Sequence, residues 1–216
     1  MQLIGLLDSP FVRRAAISAL ALGVPFAHRP VSVFRGFDAF RAINPVVKAP
    51  TLVADDGTVL MDSTLILAYV EALARPRSLM PAEPAAMLSS LHAIGLALAA
   101  CEKTAQIVYE RGLRPTEKQH QPWLDRVTGQ LLAAFAGLEA AVAAQPPDTS
   151  STVALGQSGL TAAVTWHFTS RMLPGAVDPA AHPHLVALSE AAERLPEFRA
   201  APYGDDAIDP AASGAA

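Results

Sequence analysis

The spacing of apolar residues differs between the two parts of the chain. Up to about residue 75, short apolar runs alternate with stretches in which apolar residues recur every three or four positions. Short runs bounded by turn residues are typical of buried strands, and the second spacing is typical of amphipathic helices. Beyond about residue 85 only the helical spacing remains. The pattern therefore predicts an α/β domain followed by an all-helical domain.

The first part predicts the element order β-α-β. The apolar run Leu3–Leu7 ends at an Asp-Ser-Pro sequence, in which Ser9 suits a helix N-cap and Pro10 the first helical position. Gly23 suits the end of that helix. The alternating segment Phe26–Phe34 predicts a second strand, which Pro30 confines to an edge or a bend.

A polar connection then leads to a predicted β-β-α unit. Two short apolar runs, Ala49–Val53 and Thr58–Met61, flank an Asp-Asp-Gly turn and predict a hairpin. Asp62 and Ser63 can cap the helix that follows. Its predicted buried face comprises Ile66, Tyr69, Val70 and Leu73.

The helical part begins after a proline-rich segment, 75–84, that predicts a linker. Long helices are predicted from Met87 and from Leu124, and residues 146–159 predict a loop. Two further helices are predicted over 161–173 and 183–195. The predicted domains are residues 1–75, a linker at 76–85, a helical domain at 86–202 and a flexible tail at 203–216.

Composition narrows the functional classes. Apolar residues make up 51% and charged residues 17%, which favours a folded globular protein. The net charge of −4, without a basic block, argues against nucleic acid as a partner. Cys101 is the only cysteine, so neither an intrachain disulfide nor a Cys-x-x-Cys pair can form. We find no leader and no uninterrupted apolar stretch that we expect to cross a bilayer, and we predict a cytoplasmic protein without membrane contact.

Three motifs occur in order within the first 80 residues. They are Ser-Pro-Phe-Val-Arg-Arg at 9–14, Asn-Pro-Val-Val-Lys-Ala-Pro at 44–50, and Leu-Met-Asp-Ser-Thr-Leu-Ile at 60–66. Together they resemble the serine-type and bacterial branches of the cytosolic glutathione transferases. The resemblance implies a thioredoxin-like glutathione-binding domain followed by an all-α domain that binds the second substrate. Val47 departs from the family pattern, which has glycine there.

Ser9 is the candidate catalytic residue. Glutathione transfer needs a thiolate, and a free cysteine thiol has a pKa of about 8.5. A hydroxyl at a helix N-terminus stabilises that anion by a hydrogen bond and through the helix dipole. The alternative interpretation is a plain helix cap, which would explain Ser-Pro equally well.

The resemblance also implies the glutathione contacts. Pro50 would follow a cis bond that turns the Ala49 backbone toward the cysteinyl part of the tripeptide; an ordinary trans proline is the alternative. Asp62 and Ser63 would hold the γ-glutamyl end, and capping is the alternative for them. The remaining candidates are Lys48, for the glycyl carboxylate or as a solvated lysine, and Phe11.

The second substrate is expected against Phe34, Cys101 and Tyr109. Aromatic residues are more often simply core, and Cys101 is more readily explained as a packed small side chain. His182-Pro183-His184 has no further ligand nearby in sequence and reads as a helix start, so we predict no metal. Glutathione is expected as a co-substrate and no other cofactor is expected.

The leading functional hypothesis is a detoxifying transferase that adds glutathione to a hydrophobic electrophile. Thiol exchange normally needs a cysteine at position 9, where this chain has serine. A non-catalytic binding or interaction protein on the same fold is the rival, and ligand carriage without turnover is a third possibility. The resemblance further implies a homodimer.

Overall fold

The computed structural model describes residues 1–208. Within it the chain forms two compact units. Unit 1 comprises residues 1–79, 150–154 and 193–208, and unit 2 comprises residues 80–149 and 155–192. The predicted helical domain extends to residue 202, whereas residues 193–208 cluster with the sheet in unit 1.

Buried polar contacts hold the returning segment in unit 1. The guanidinium of Arg13 lies against the carboxylate of Glu193 and donates to the backbone oxygen of Ala201 at 2.9 Å. Within the predicted flexible tail, Asp205 pairs with Arg35, and the Ile208 N–H donates to Nδ1 of His28. Residues 209–216 of that predicted tail lie outside the described residues.

Unit 1 contains a four-stranded mixed sheet with the strand order β2-β1-β3-β4. β1 pairs in parallel with β2, and β3 pairs antiparallel with both β1 and β4. The predicted element types and their order are confirmed, although each strand is only three residues long. The strands are β1 (Gln2–Ile4), β2 (Ala27–Arg29), β3 (Thr51–Val53) and β4 (Val59–Met61).

The helices of unit 1 include two that pack on each other and on the sheet, α1 (Pro10–Ala21) and α3 (Ser63–Ala74). Ile66 and Val70 of α3 are buried as predicted. The predicted burial of Tyr69 and Leu73 is wrong, because the inward stripe runs instead through Leu67 and Ala74. The unit also contains α8 (Pro196–Ala200), which packs on α1.

A short helix, α2 (Phe37–Ile43), occupies the stretch predicted as a polar connection. Only Phe40 of this helix is buried. One buried residue in seven positions does not produce the repeated apolar spacing of a helix, so the sequence pattern did not predict α2.

Unit 2 is helical. Its long helices are α4 (Pro84–Leu113) and α5 (Gln121–Ala144), which pack extensively on each other. α6 (Thr152–Met172) begins in unit 1, is interrupted at Gly156 with φ 68° and ψ 174°, and continues in unit 2. Thr161, the predicted start of that helix, lies inside it and donates to the Gln157 carbonyl at 2.7 Å. The last helix of unit 2 is α7 (Pro183–Ala192).

Two helices are long and apolar enough, by length and composition alone, to cross a membrane, namely α4 and α5. The expectation that the sequence holds no such stretch is therefore wrong. Both helices contribute buried side chains to the core of unit 2.

Candidate functional site

Ser9 caps the N-terminus of α1. Its backbone is extended, with φ −75° and ψ 123°, and its Oγ accepts from the Val12 N–H at 3.5 Å, a long distance for such a bond. The side chain is half-buried. A weakly engaged hydroxyl at the positive end of a helix can donate to an anion placed there. The predicted cap is confirmed, and it is compatible with the predicted role.

Gly5 lets the loop before Ser9 approach its surroundings closely. A Cβ at this position would lie 2.6 Å from a methyl carbon of Val12 and 3.2 Å from the Cβ of Ala49. The backbone φ of +139° also favours glycine. The loop after β1, the first turn of α1 and the segment before Pro50 are therefore neighbours.

The loop carrying the second motif is organised by Asn44. Its side-chain amide donates to Thr51 Oγ1 at 2.8 Å, and its side-chain oxygen accepts from the Val46 N–H at 3.0 Å. Thr51 Oγ1 in turn donates to the Lys48 carbonyl at 2.7 Å. These bonds tie both ends of the loop together, and they give a structural reason for asparagine at the start of the motif.

Ala49 lies just ahead of the strand ladder. The Ala49–Pro50 peptide bond is cis, and the pairing of β3 with β1 begins at Thr51. Val47 adopts a φ of +52°, in the left-handed region. A β-branched residue is rarely found there, so the position that has glycine in the family pattern keeps a glycine-like conformation here.

Asp62 and Ser63 begin α3. Asp62 Oδ1 accepts from the Thr64 N–H at 2.9 Å, and its φ of +72° is unfavourable for a residue with a side chain. Ser63 is buried, and its Oγ accepts from Nη1 of Arg14 at 3.1 Å. Since that bond occupies an oxygen lone pair, the Ser63 hydroxyl hydrogen can be directed to another acceptor.

Arg14 is a buried residue beside the candidate site, and the sequence did not predict a role for it. It lies within the first motif and joins α1 to the start of α3. Its Nη1 also lies 3.5 Å from Thr64 Oγ1. Two adjacent arginines normally indicate a solvated surface, so the sequence offered no signal for this contact.

Lys48 lies beside Asp62, with 3.9 Å between Nζ and Oδ2. The two residues that were predicted to hold opposite ends of glutathione are therefore neighbours in this structure. Both side chains are about half-exposed. Phe11, the other candidate contact, is half-buried in the first turn of α1.

The candidates for the second-substrate site differ in exposure. In unit 1, Phe34 is 53% exposed; in unit 2, Tyr109 is 47% exposed. Cys101 is only 2% exposed, and its sulfur lies 3.2 Å from Thr165 Oγ1 in the core of unit 2. That position agrees with the alternative interpretation of Cys101, a packed small side chain, and argues against a role as a pocket wall.

Asp8, directly before Ser9, lies in an unusual electrostatic setting. Burial raises its pKa above the ordinary value, and the negative charge of Asp205 raises it further. The Ser9 backbone N–H and the positive charge of Arg35 act in the opposite direction without cancelling the rise. The C-terminal segment therefore influences the residue next to the candidate catalytic serine.

The four-stranded mixed sheet with its helices, joined to a mostly helical remainder, defines the glutathione transferase type of fold. The glutathione S-transferase N-terminal domain matches residues 3–78. The uncharacterized GST-like protein YibF of Escherichia coli (strain K12) is 29% identical over 132 residues, which cover 61% of each chain. This chain thus spans less than two thirds of that curated relative.

Solved structures agree with these matches. A glutathione transferase family member from Pseudomonas fluorescens Pf-5, with bound glutathione, is 26% identical with a TM-score of 0.80. The match covers 94% of this chain and 98% of that one. A second structure of that family member contains S-(propanoic acid)-glutathione, with 25% identity, a TM-score of 0.79, and 93% and 98% of the two chains covered. The chain is therefore similar to glutathione transferases in its fold, and residues 3–78 match the N-terminal domain of that family.

Proposed function

We propose that this protein binds reduced glutathione in unit 1 and activates its thiol with Ser9 for addition to a hydrophobic electrophile. The observation that carries the proposal is the proximity of three elements around one end of α1. Gly5 brings the Ser9 loop against Ala49, and Arg14 joins α1 to Ser63 at the start of α3. The bound glutathione of the Pseudomonas fluorescens protein supports the same ligand here.

Each group has a distinct proposed contact. The Ser9 hydroxyl donates to the thiolate, and the Ala49 backbone pairs with the cysteinyl residue as an added strand would. The Ser63 hydroxyl and the amides at the start of α3 receive the γ-glutamyl carboxylate, with the buried Arg14 guanidinium adding positive charge behind them. Asp62 receives the α-amino group, and Lys48 remains the candidate for the glycyl carboxylate.

A homodimer is also proposed, together with a cytoplasmic location and a role in detoxification. α3 exposes large apolar side chains at Leu65, Tyr69 and Leu73, which are spaced four residues apart and so share one face. A second copy of the chain would cover that face, and light scattering should give twice the monomer mass. A monomer at micromolar concentration would contradict the dimer proposal.

The first test is isothermal titration with reduced glutathione. The wild type should bind, and Asp62→Ala/Ser63→Ala should abolish the binding because both γ-glutamyl contacts are lost. Asp178→Ala is the matched control, since Asp178 is also an aspartate cap and accepts from the Ala180 N–H at 2.9 Å. Absence of binding to the folded wild type would leave the motifs as helix caps and favour the non-catalytic alternative.

The second test measures the pKa of the bound thiol in Ser9→Ala. Loss of one charge-assisted hydrogen bond costs about 1.5–3 kcal/mol, which corresponds to a rise of roughly one to two pKa units. Turnover near neutral pH should fall about tenfold or more while glutathione affinity stays within about twofold. Ser151→Ala is the control, because Ser151 Oγ caps the start of α6 and accepts from the Ala154 N–H at 3.1 Å. An unchanged thiol pKa would exclude Ser9 as the activating group.

A further inference from the structure

The loops after β1 and β2 lie side by side. These strands are parallel and pair from Gln2 with Ala27 to Ile4 with Arg29, so their carboxyl ends meet at one edge of the sheet. The first loop leads to Ser9. The second loop carries Phe34 and Arg35. An aromatic side chain and a cation therefore border the loop of the candidate catalytic serine.

The backbone at Arg35 is held by its own turn. Ser32 Oγ accepts from the N–H groups of Phe34 and Arg35, both at 3.1 Å, and the Gly36 N–H donates to the Ser32 carbonyl at 3.1 Å. The Arg35 side chain is 73% exposed. A fixed base with an accessible guanidinium suits recognition of an anionic ligand.

A carboxylate of the protein itself lies on this guanidinium. Asp205, in the segment after α8, forms an ion pair and hydrogen bond with Arg35. The segment is attached a second time at Ile208, whose N–H donates to Nδ1 of His28 at 3.2 Å. Nε2 of His28 lies 2.8 Å from the Gly5 carbonyl, so the C-terminal segment is connected to both loops.

We propose that Arg35 recognises a carboxylate on the second substrate, and that Asp205 occupies Arg35 until such a substrate arrives. The inference rests on the proposed glutathione transfer and adds a substrate class to it: aromatic or otherwise hydrophobic electrophiles that carry a carboxylate. Phe34 provides the apolar contact next to the cation.

The exposed guanidinium can exchange one carboxylate for the other. The pair between Arg35 and Asp205 is exposed to solvent and screened by it, so release of Asp205 costs little. A substrate carboxylate meets the planar guanidinium with two parallel hydrogen bonds.

The test compares two electrophiles that differ in charge, chloronitrobenzoate and its methyl ester. In both reactions the glutathione thiolate forms a carbon–sulfur bond, chloride leaves with the electron pair of the carbon–chlorine bond, and the thiol proton passes to solvent. The variants are Arg35→Gln and Asp205→Asn. Arg41→Gln is the matched control, because Arg41 forms a comparable exposed pair with Asp38 at 3.1 Å.

Arg35→Gln should lower kcat/KM for the benzoate about tenfold or more and change that for the ester less than about twofold. Asp205→Asn should raise kcat/KM for the benzoate by up to about fivefold, because the competing carboxylate is gone. Equal effects on both electrophiles would overturn the proposal. So would an equal weakening of glutathione binding itself in Arg35→Gln, since Arg35 would then serve glutathione.

Binding of the two preformed S-aryl glutathione conjugates separates this inference from the proposed function. If neither electrophile turns over, the transferase proposal fails. The carboxylate site still stands if titration shows tighter binding of the acid conjugate than of the ester conjugate, and if Arg35→Gln removes the difference. Equal binding of the two conjugates, or no binding of either, would overturn the carboxylate site.

Discussion

The ion pair between Arg13 and Glu193 fixes the C-terminal segment to the helix that begins at Ser9. Arg13 is 1% exposed, and its two terminal nitrogens lie 2.6 and 2.7 Å from the two carboxylate oxygens of Glu193. Nε donates to the Ala201 carbonyl at 2.9 Å, and the guanidinium lies 5.6 Å from the ring centre of Phe198. The cation is therefore hydrogen-bonded through all three of its nitrogens and shielded from water.

Glu193→Gln should destabilise unit 1 by about 3 kcal/mol. Removing one partner of a buried ion pair costs about 3–5 kcal/mol, because the remaining charge stays desolvated. The lower end applies here, since the Glu193 side chain is 26% exposed and glutamine keeps one acceptor oxygen. Urea denaturation should show a midpoint about 1 M lower.

Two further variants isolate the ion pair. Arg13→Met removes the buried charge, and in Arg13→Met/Glu193→Gln the two losses should be strongly non-additive, with a coupling of about 2 kcal/mol. Glu190→Gln, at an exposed position in α7, is the control and should change stability by less than about 0.5 kcal/mol. A loss below about 1 kcal/mol in Glu193→Gln, or additive effects in the double variant, would refute the reasoning.

Three other predictions concern the backbone, pH and a helix end. Val47→Gly should be at least about 1 kcal/mol more stable in urea than Val46→Gly, because only Val47 has the left-handed φ of +52°; equal stabilities would contradict the strain. Burial lowers the pKa of His28 below its ordinary value of 6.5, against the raising effect of its Gly5 hydrogen bond. The unfolded chain thus takes up the proton first, and stability should fall as pH drops below about 6.5. His28→Gln, but not the exposed control His92→Gln, should flatten that pH profile of urea midpoints. Glu139→Ala should lower the free energy of unfolding by about 1–2 kcal/mol in the same assay, since the Glu139 carboxylate accepts hydrogen bonds from N–H groups at the start of α7. An unchanged urea midpoint would show that this cap does not stabilise the protein.

The pH dependence near Ser9 has the opposite sign from that of His28. Burial raises the pKa of Asp8, so its protonated form is favoured in the folded state. Asp8 therefore contributes to the stability of the folded state below its ordinary pKa of 3.8, and this contribution is lost as pH rises through the pKa of the folded state. Stability is expected to fall just below pH 6.5, the ordinary pKa of a histidine side chain, and we assign that fall to His28.

Local sequence determined the elements that depend on neighbouring residues. Ser9 followed by Pro10 could be read as a helix start because capping and proline geometry act within one turn, and the structure confirms that start. The Asp-Gly turn between two apolar runs likewise predicted the hairpin of β3 and β4. The three motifs indicated the family for the same reason, since each lies within a single loop or helix end.

Tertiary structure decided what depends on residues far apart in the chain. Arg13 and Arg14 are adjacent in sequence, yet one pairs with Glu193 and the other with Ser63, because neighbouring positions on a helix point about 100° apart. Asp205 reaches Arg35 across 170 residues. A charged side chain reads as solvated until its partner is known, and no local pattern specifies a partner that only the folded chain brings near. The sequence therefore predicted where the candidate site begins, and the fold supplied the charges that surround it.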